Sequence, residues 1–187
     1  AGDVGAARGL YQNLERRYPD EPGVRYLAAE FDLVDGDLEG ARETLANLLA
    51  AEPGYRPALV LGFRLALGAG AADDAGELLA AYRESGADTV TSAMMAGQLA
   101  SVSGRPNEAV SHFAEAFERR RASGPMLALW QAQRAAGNPD DARSLMVAWL
   151  DEHPQDLAAR LKHAGALAAD GDRTGAIAQY ERVLRSS

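Results

Sequence analysis

The sequence predicts an all-α fold in which antiparallel helix pairs stack into a solenoid. Three observations predict it: glycines recur every 33 or 34 residues along the 187-residue chain, an alanine follows each glycine five residues later, and apolar residues lie three and four apart between them. A fixed period of roughly 20 to 50 residues indicates a stacked array, because one unit cannot bury its apolar stripe without neighbours. The recurring glycines are Gly2, Gly36, Gly70, Gly104, Gly137 and Gly171.

Each unit carries start and stop signals for its second helix. We number each 34-residue unit so that the recurring glycine is position 15. Position 16, directly after the glycine, is aspartate or asparagine in four units, and such side chains accept hydrogen bonds from the first free amides of a helix. These residues are Asp3, Asp37, Asn138 and Asp172. Pro19, Pro53 and Pro154 lie at position 32, where a helix must stop because proline lacks an amide donor.

The elements follow in order from this frame. The chain is expected to be a single array that opens with a half repeat over residues 1–19 and continues with five helix pairs, about eleven helices in all. The pairs are predicted at about residues 22–53, 56–87, 90–121, 123–154 and 157–187. The fourth of these pairs is one residue short, with the loss somewhere in "RRRASGPM".

Composition limits the classes of partner. The formal net charge is −8, so the field of the chain repels phosphate backbones and anionic lipid surfaces. No apolar run approaches the roughly 20 residues that a membrane span needs. We therefore expect no nucleic-acid partner and no direct membrane insertion by this segment. The chain has no cysteine, so it has no disulfide and no thiolate metal site.

The repeated residues resemble the tetratricopeptide repeat (TPR) family. The resemblance rests on the Gly-Asp turn, alanine at position 20, a large residue at position 24 and proline at position 32, and it covers nearly the whole chain. It implies a right-handed superhelix whose inner groove holds a protein or peptide. The family expects a small residue at position 8, and Phe63 and Trp130 depart from that pattern.

The resemblance also implies a partner-binding groove on the first helix of each pair. In the family the ligand usually lies along positions 2, 5, 9, 12 and 13, and the residues carried over here are a mixture of aliphatic, amide and charged side chains, which favours an extended or helical peptide as the occupant. The expected groove residues are Tyr26, Glu30, Leu33, Val60, Arg64, Leu67, Thr91, Met94, Gln98, Ser101, Leu127, Gln131, Arg134 and Leu161. Chaperone-binding members have lysine at position 5 and asparagine at position 9, and no unit here has that pair.

A second hypothesis is that the segment is a structural spacer or a homodimer formed through uncapped ends. A narrower resemblance links the run "AWLDEHPQDLAARL" to the last repeats of TPR proteins of bacterial exosortase and PEP-CTERM sorting systems. It implies a periplasmic or outer-membrane-associated protein linked to exopolysaccharide and surface-protein sorting, and otherwise a cytoplasmic location is expected.

The sequence does not predict an enzyme or a cofactor. The histidines His112, His153 and His163 lie in different structural roles without an i,i+4 pair, so no zinc site or catalytic triad is expected. The acidic pair Asp73 and Asp74 lies in the first turn of a predicted helix, where carboxylates are explained by the helix dipole. We therefore predict no catalytic, metal or cofactor residues.

Overall fold

The structure is a computed structural model that describes residues 4–185. Within that range it contains eleven α-helices and no strand, which confirms the all-α prediction. The helices are α1 Val4–Arg17, α2 Pro22–Val34, α3 Leu38–Ala51, α4 Arg56–Gly68, α5 Ala72–Glu84, α6 Thr89–Val102, α7 Pro106–Arg119, α8 Ser123–Ala135, α9 Pro139–Glu152, α10 Leu157–Ala169 and α11 Arg173–Arg185. The predicted signals at Gly2 and Asp3 lie outside the described residues.

The recurring glycine marks a tight turn between paired helices. The φ angles are +81° at Gly36, +74° at Gly70, +69° at Gly104, +79° at Gly137 and +89° at Gly171. A residue with a Cβ atom rarely adopts this left-handed conformation, so a turn of three residues between two packed helices requires glycine there. The 34-residue period of the sequence is therefore a period of turns.

Helix capping follows the prediction in part. Asp37 accepts a hydrogen bond from Gly40 N at 2.8 Å, and Asp172 accepts one from Gly175 N at 2.9 Å. Asn138 is the N-cap residue of α9 as predicted, but the expected capping bond is wrong, because its side chain makes none and Pro139 follows it in the first turn. Asp156, which the frame did not select, caps α10 through Ala159 N at 2.9 Å.

The chain forms two compact units, and their boundary falls within α6 after Met95. Unit 1 has a core of Ala29, Leu45, Leu48, Ala58 and Leu61. This core lies where α2 packs on α3 and α3 packs on α4. The second helix of one pair is thus covered by the first helix of the next pair.

Unit 2, which begins at Ala96, has a core built in the same way. Its buried residues come from α8, α9 and the start of α10, and they are Met126, Trp130, Ala142, Met146, Trp149, Leu150 and Ala159. The connection between α7 and α8 is three residues long, residues 120–122, whereas the connections after α3, α5 and α9 have four. The missing residue of the sequence frame therefore falls in this connection, and α7 and α8 pack closely on each other.

Position 8 of the repeat accepts large side chains here. Phe63 is 1% exposed and Trp130 is 6% exposed, so both are core residues. In the repeat between those of Phe63 and Trp130 the same position is Gly97, against which the ring of Phe113 lies.

Tyr82 and Trp149 are buried as expected for packing residues, but Tyr180 in α11 is 41% exposed because no further helix of the described chain covers it.

Candidate functional site

The predicted groove residues of unit 1 lie on α2, α4 and the first part of α6. None of them is buried, whereas the residues that alternate with them along the same helices, such as Ala29 and Phe63, form the core. The 3.6-residue period of the helices separates the two sets. In the predicted set Glu30 and Arg64 are exposed, and the half-buried members are Tyr26, Leu33, Val60, Leu67, Thr91 and Met94.

The first cavity of this surface lies between α1, α2 and α4, and we call it the Glu30 cavity. Its volume is about 480 Å³. It brings together four predicted residues, and five further residues complete its lining. The residues are Tyr26, Glu30, Leu33 and Arg64, with Ala7, Leu27, Phe31, Val34 and Leu61. Its wall is apolar apart from the carboxylate, the guanidinium and the phenol.

The second cavity lies between α2, α4, the end of α5 and α6, and we call it the Arg56 cavity. Its volume is about 360 Å³. Its lining residues are Tyr26, Arg56, Pro57, Val60, Leu61, Arg64, Tyr82 and Thr91. Because the two cavities share Tyr26, Leu61 and Arg64, they adjoin, and we call them together the Tyr26 groove.

Arg56 has its guanidinium partly anchored. Its Nη2 donates to the carbonyl oxygen of Ser85 at 2.7 Å, and its Nε donates to Ser85 Oγ at 3.4 Å. Ser85 Oγ in turn donates to the Tyr82 carbonyl at 2.7 Å. These bonds satisfy carbonyls at the end of α5, and Arg56 Nη1 makes no hydrogen bond within residues 4–185.

Arg64 is an exposed cation with no protein partner in the described chain. It forms no ion pair or hydrogen bond with any residue from 4 to 185, although Glu30 lines the same cavity. Burial raises the pKa of Tyr26, as do the hydrogen bond and the negative charge of Glu30, and the charge of Arg64 acts in the opposite direction. The phenol is therefore protonated at neutral pH, with its hydroxyl directed to Glu30.

Two predicted residues of unit 1 fall outside these cavities. Leu67 and Met94 line neither the Glu30 cavity nor the Arg56 cavity. Met94 is half-buried, and its neighbour Met95 is 3% exposed and belongs to the core. The sequence left open which of these two methionines faces the interior, and the structure assigns that role to Met95.

In unit 2 the predicted residues are also on the surface, but one of them is already paired. Arg134 makes a two-point ion pair with Asp170, with both nitrogen–oxygen distances 2.9 Å, and its guanidinium lies 5.5 Å from the Trp130 ring centroid. Asp170 raises the pKa of Arg134, and Arg134 lowers the pKa of Asp170. The remaining five residues, none of them buried, are Gln98, Ser101, Leu127, Gln131 and Leu161.

The arginine run at the end of α7 is engaged within the chain. Arg119 Nε donates to Glu115 Oε1 at 3.1 Å, and Arg121 pairs with Glu152 at 3.3 Å. The Arg121 guanidinium also lies 5.3 Å from the Phe117 ring centroid. These contacts explain two of the three charges without a ligand.

Two features outside the predicted site were not anticipated. A third cavity of about 320 Å³ lies among α3, α4 and α5, and small side chains such as Ala46, Ala66 and Ala69 line it. Alanine and leucine at these positions look like ordinary packing residues, so no sequence signal marks this cavity. In unit 2 the buried His163 has an Nδ1 atom without a hydrogen-bond partner, next to the buried Arg160.

Among residues 4–185, no trio of potential metal ligands comes together. No helix in the same range combines the length and the apolar character needed to cross a bilayer.

One family model matches the first part of the chain. Residues 1–59 match the family model described as tetratricopeptide repeat. The sequence matched none of the curated proteins with which it was compared.

Solved structures of low sequence identity share the fold. The structure of TTC0263, a thermophilic TPR protein in Thermus thermophilus, has 21% identity and a TM-score of 0.75, over 89% of this chain and 92% of that one. The structure of YrrB, a TPR protein with an unusual peptide-binding site, has 13% identity and a TM-score of 0.62, over 95% and 92%. The human IFIT1 dimer with m7Gppp-AAAA has 18% identity and a TM-score of 0.78, over 94% of this chain and 43% of that one.

The repeats of the described chain share glycine turns with positive φ and helix pairs that are covered by their neighbours. The alanines five residues after these turns, such as Ala41, Ala75 and Ala142, are buried. The resemblance to the tetratricopeptide repeat family is therefore confirmed: the first 59 residues match its family model, and the described chain has the fold of solved TPR proteins.

Proposed function

We propose that this protein is a non-catalytic scaffold that binds a peptide segment of another protein in the Tyr26 groove. The observation that carries the proposal is that six of the groove residues implied by the family resemblance line two adjoining cavities in unit 1. They are Tyr26, Glu30, Leu33, Val60, Arg64 and Thr91. YrrB, a TPR protein with an unusual peptide-binding site, has the same fold and supports a peptide as the occupant.

The chemistry of the groove favours a peptide over a small metabolite. Together the cavities expose an aromatic ring, aliphatic side chains and separate charges over a surface several residues long. Such a surface offers one binding position after another to successive side chains of an extended or helical segment. Leu67, Met94 and the predicted residues of unit 2 remain candidates for a longer contact.

The proposal is tested by selecting 12-residue peptides from a random displayed library on the immobilised protein and mapping the best one by NMR. We expect amide shift changes concentrated at Tyr26, Val60 and Arg64. The variant Val60→Glu, which places a charge in the Arg56 cavity, should abolish binding. Ala46→Glu, which places the same charge in the separate cavity among α3, α4 and α5, should not. Shift changes confined to α3 and α5 would contradict the proposal.

Self-association is the second candidate, because both terminal helices of the described chain expose apolar stripes. Leu10 and Leu14 on α1 are 69% and 38% exposed, Tyr18 directly after α1 is 52% exposed, and Ile177 and Leu184 on α11 are 58% and 76% exposed. Contiguous exposed apolar surface of this kind marks protein contact sites. Light scattering should then show a mass that rises with concentration, and Leu184→Lys should abolish that rise. A constant monomer mass contradicts this candidate.

A nucleic-acid partner has less support. The RNA seen with human IFIT1 shows that a related fold can hold a nucleic acid, but this chain carries a net charge of −8, which opposes a phosphate backbone. A role in a bacterial sorting system remains a prediction from the C-terminal resemblance. A secretion or lipid-attachment signal upstream in the gene would support it, and a cytosolic start would contradict it.

A further inference from the structure

The Arg56 cavity differs in charge from the rest of the molecule. Its lining contains two guanidinium groups, from Arg56 and Arg64, and no carboxylate. The chain as a whole has 27 acidic and 19 basic side chains. A local positive site in an acidic protein attracts an anionic group to that site while the remaining surface repels it.

Arg64 is the arginine of this site whose charge is free for a ligand. Two arginines that lie over aromatic rings of first helices are occupied by aspartates: Arg8 makes a two-point pair with Asp35 at 2.6 and 3.0 Å, and Arg134 makes one with Asp170. Arg64 lines both cavities together with Tyr26, and it makes no ion pair with an aspartate within the described chain. Its fork of donors is open to a planar anion.

We propose that the peptide partner carries an acidic side chain that pairs with Arg64 in the Arg56 cavity and a large apolar side chain that fills the neighbouring Glu30 cavity. This inference rests on the proposed function and specifies the chemistry of its ligand. The apolar side chain would contact Phe31, Leu33 and Leu61, which line the Glu30 cavity.

The two cavities also fix the direction of the peptide. Glu30 lies only in the first cavity, so an acidic side chain there would meet a like charge and would be disfavoured. In the Arg56 cavity the same side chain meets Arg64 and the Nη1 atom of Arg56, while the Thr91 hydroxyl donates to the Asp88 carboxylate. The acidic residue is therefore directed to one cavity and the apolar residue to the other.

Selection from the random 12-residue library supplies the probe. The most enriched peptide and its analogue with each acidic residue changed to the matching amide are synthesised and measured by calorimetry. We expect the wild-type protein to bind the amide analogue at least about tenfold more weakly, as for loss of a charged hydrogen bond. Arg64→Met should bind both peptides weakly and nearly equally, because the partner of the carboxylate is gone. Arg143→Glu, an exposed arginine on α9, should discriminate between them as the wild type does.

The outcomes separate the inference from the proposed function. If enriched peptides bind in the groove but lack acidic residues, or if Arg64→Met still discriminates between carboxylate and amide, the inference is wrong and the scaffold proposal stands. If no peptide is enriched above the starting library, both are wrong. Circular dichroism of Arg64→Met confirms that lost binding is not lost folding, and Arg64→Lys, which keeps the charge, should retain part of the discrimination.

Discussion

At the scale of single residues, Gly97 is required by a neighbouring ring and not by its backbone conformation. A Cβ atom built on Gly97 would lie 2.6 Å from Phe113 Cε1 and 2.7 Å from Cδ1, and Phe113 is only 5% exposed. The ring has little room to move because interiors are close-packed. The absence of a side chain at Gly97 therefore leaves room for the large Phe113 ring, in the repeat between those of Phe63 and Trp130.

Gly97→Ala is expected to destabilise the protein by about 1–2 kcal/mol. The gain in helix propensity, about 1 kcal/mol, is smaller than the cost of overpacking a buried site. The measurement is urea unfolding followed by circular dichroism. Gly165→Ala is the matched control: it is a helix-interior glycine with no side chain closer than 4.0 Å, and it should be neutral or stabilising. A Gly97→Ala variant as stable as the wild type would contradict the argument.

His163 gives the protein a stability that depends on pH. Burial lowers the pKa of His163, and the charges of Arg160 and Arg143 lower it further, while Asp172 acts in the opposite direction. Below the ordinary value of 6.5 the unfolded chain binds a proton that the folded chain does not. The free energy of unfolding should therefore be highest above pH 6.5 and should fall as the pH drops toward the lowered folded value.

The contribution of His163 is the difference between the wild type and His163→Leu, with urea unfolding measured from pH 7.5 to 5. The leucine variant does not titrate, so we expect a smaller loss of stability over that range. Asp151 and Arg182 line the same small cavity and are present in both proteins, so their effects cancel. Equal slopes for the two proteins would show that His163 is protonated as easily in the fold as in the unfolded chain.

At the scale of helices, Asp156 joins two elements. Its Oδ1 accepts from Ala159 N at 2.9 Å to cap α10, and its Oδ2 accepts from Trp149 Nε1 of α9 at 2.8 Å. Burial acts to raise the pKa of Asp156, but the hydrogen bonds from Ala159, Ser123 and Trp149 together lower it. The carboxylate thus holds the first turn of one helix against a core tryptophan of the preceding helix.

Asp156→Ala should cost about 1–3 kcal/mol of stability, because it removes a cap and leaves a buried indole N–H without an acceptor. Asp37→Ala removes a cap alone and should cost about 1 kcal/mol. Thermal unfolding of both variants gives the comparison, and the Trp149 fluorescence should shift only in Asp156→Ala. Equal losses in the two variants would mean that the indole bond adds nothing.

The helices were more predictable than the site. Turns such as the one at Gly36 follow from backbone sterics, and buried alanines such as Ala41 follow from helical periodicity, so both are local properties of the sequence. The Asp156 cap also had a local signal, an aspartate before an apolar run, but it lies between repeats and outside the frame. The cavities depend on the distances between helices. Those distances are set by side chains such as Phe63, which differ from one repeat to the next. The pairing of Arg134 with Asp170 joins residues 36 apart and has no local signal.

At the scale of the whole molecule, stability should be distributed by neighbours. In an array each helix gains most of its stability from the helices that cover it, so the free energy of local opening varies along the chain. Leu48 in α3 and Met146 in α9 are 0% exposed, whereas Leu10 in α1 and Leu184 in α11 are 69% and 76% exposed. The terminal helices of the described chain therefore leave large apolar side chains uncovered, whereas α3 and α9 bury theirs.

Hydrogen exchange measured by mass spectrometry checks this distribution. We expect amides of α1 and α11 to exchange at least about tenfold faster than those of α3 and α9, since about 1.4 kcal/mol of lost packing gives that factor. Leu48→Ala should speed exchange in α2, α3 and α4 and leave α9 unchanged, because its effect passes only to helices in contact. Uniform protection in a dilute sample would contradict this account. Protection of α11 that rises with protein concentration would instead show that a second copy covers its apolar stripe.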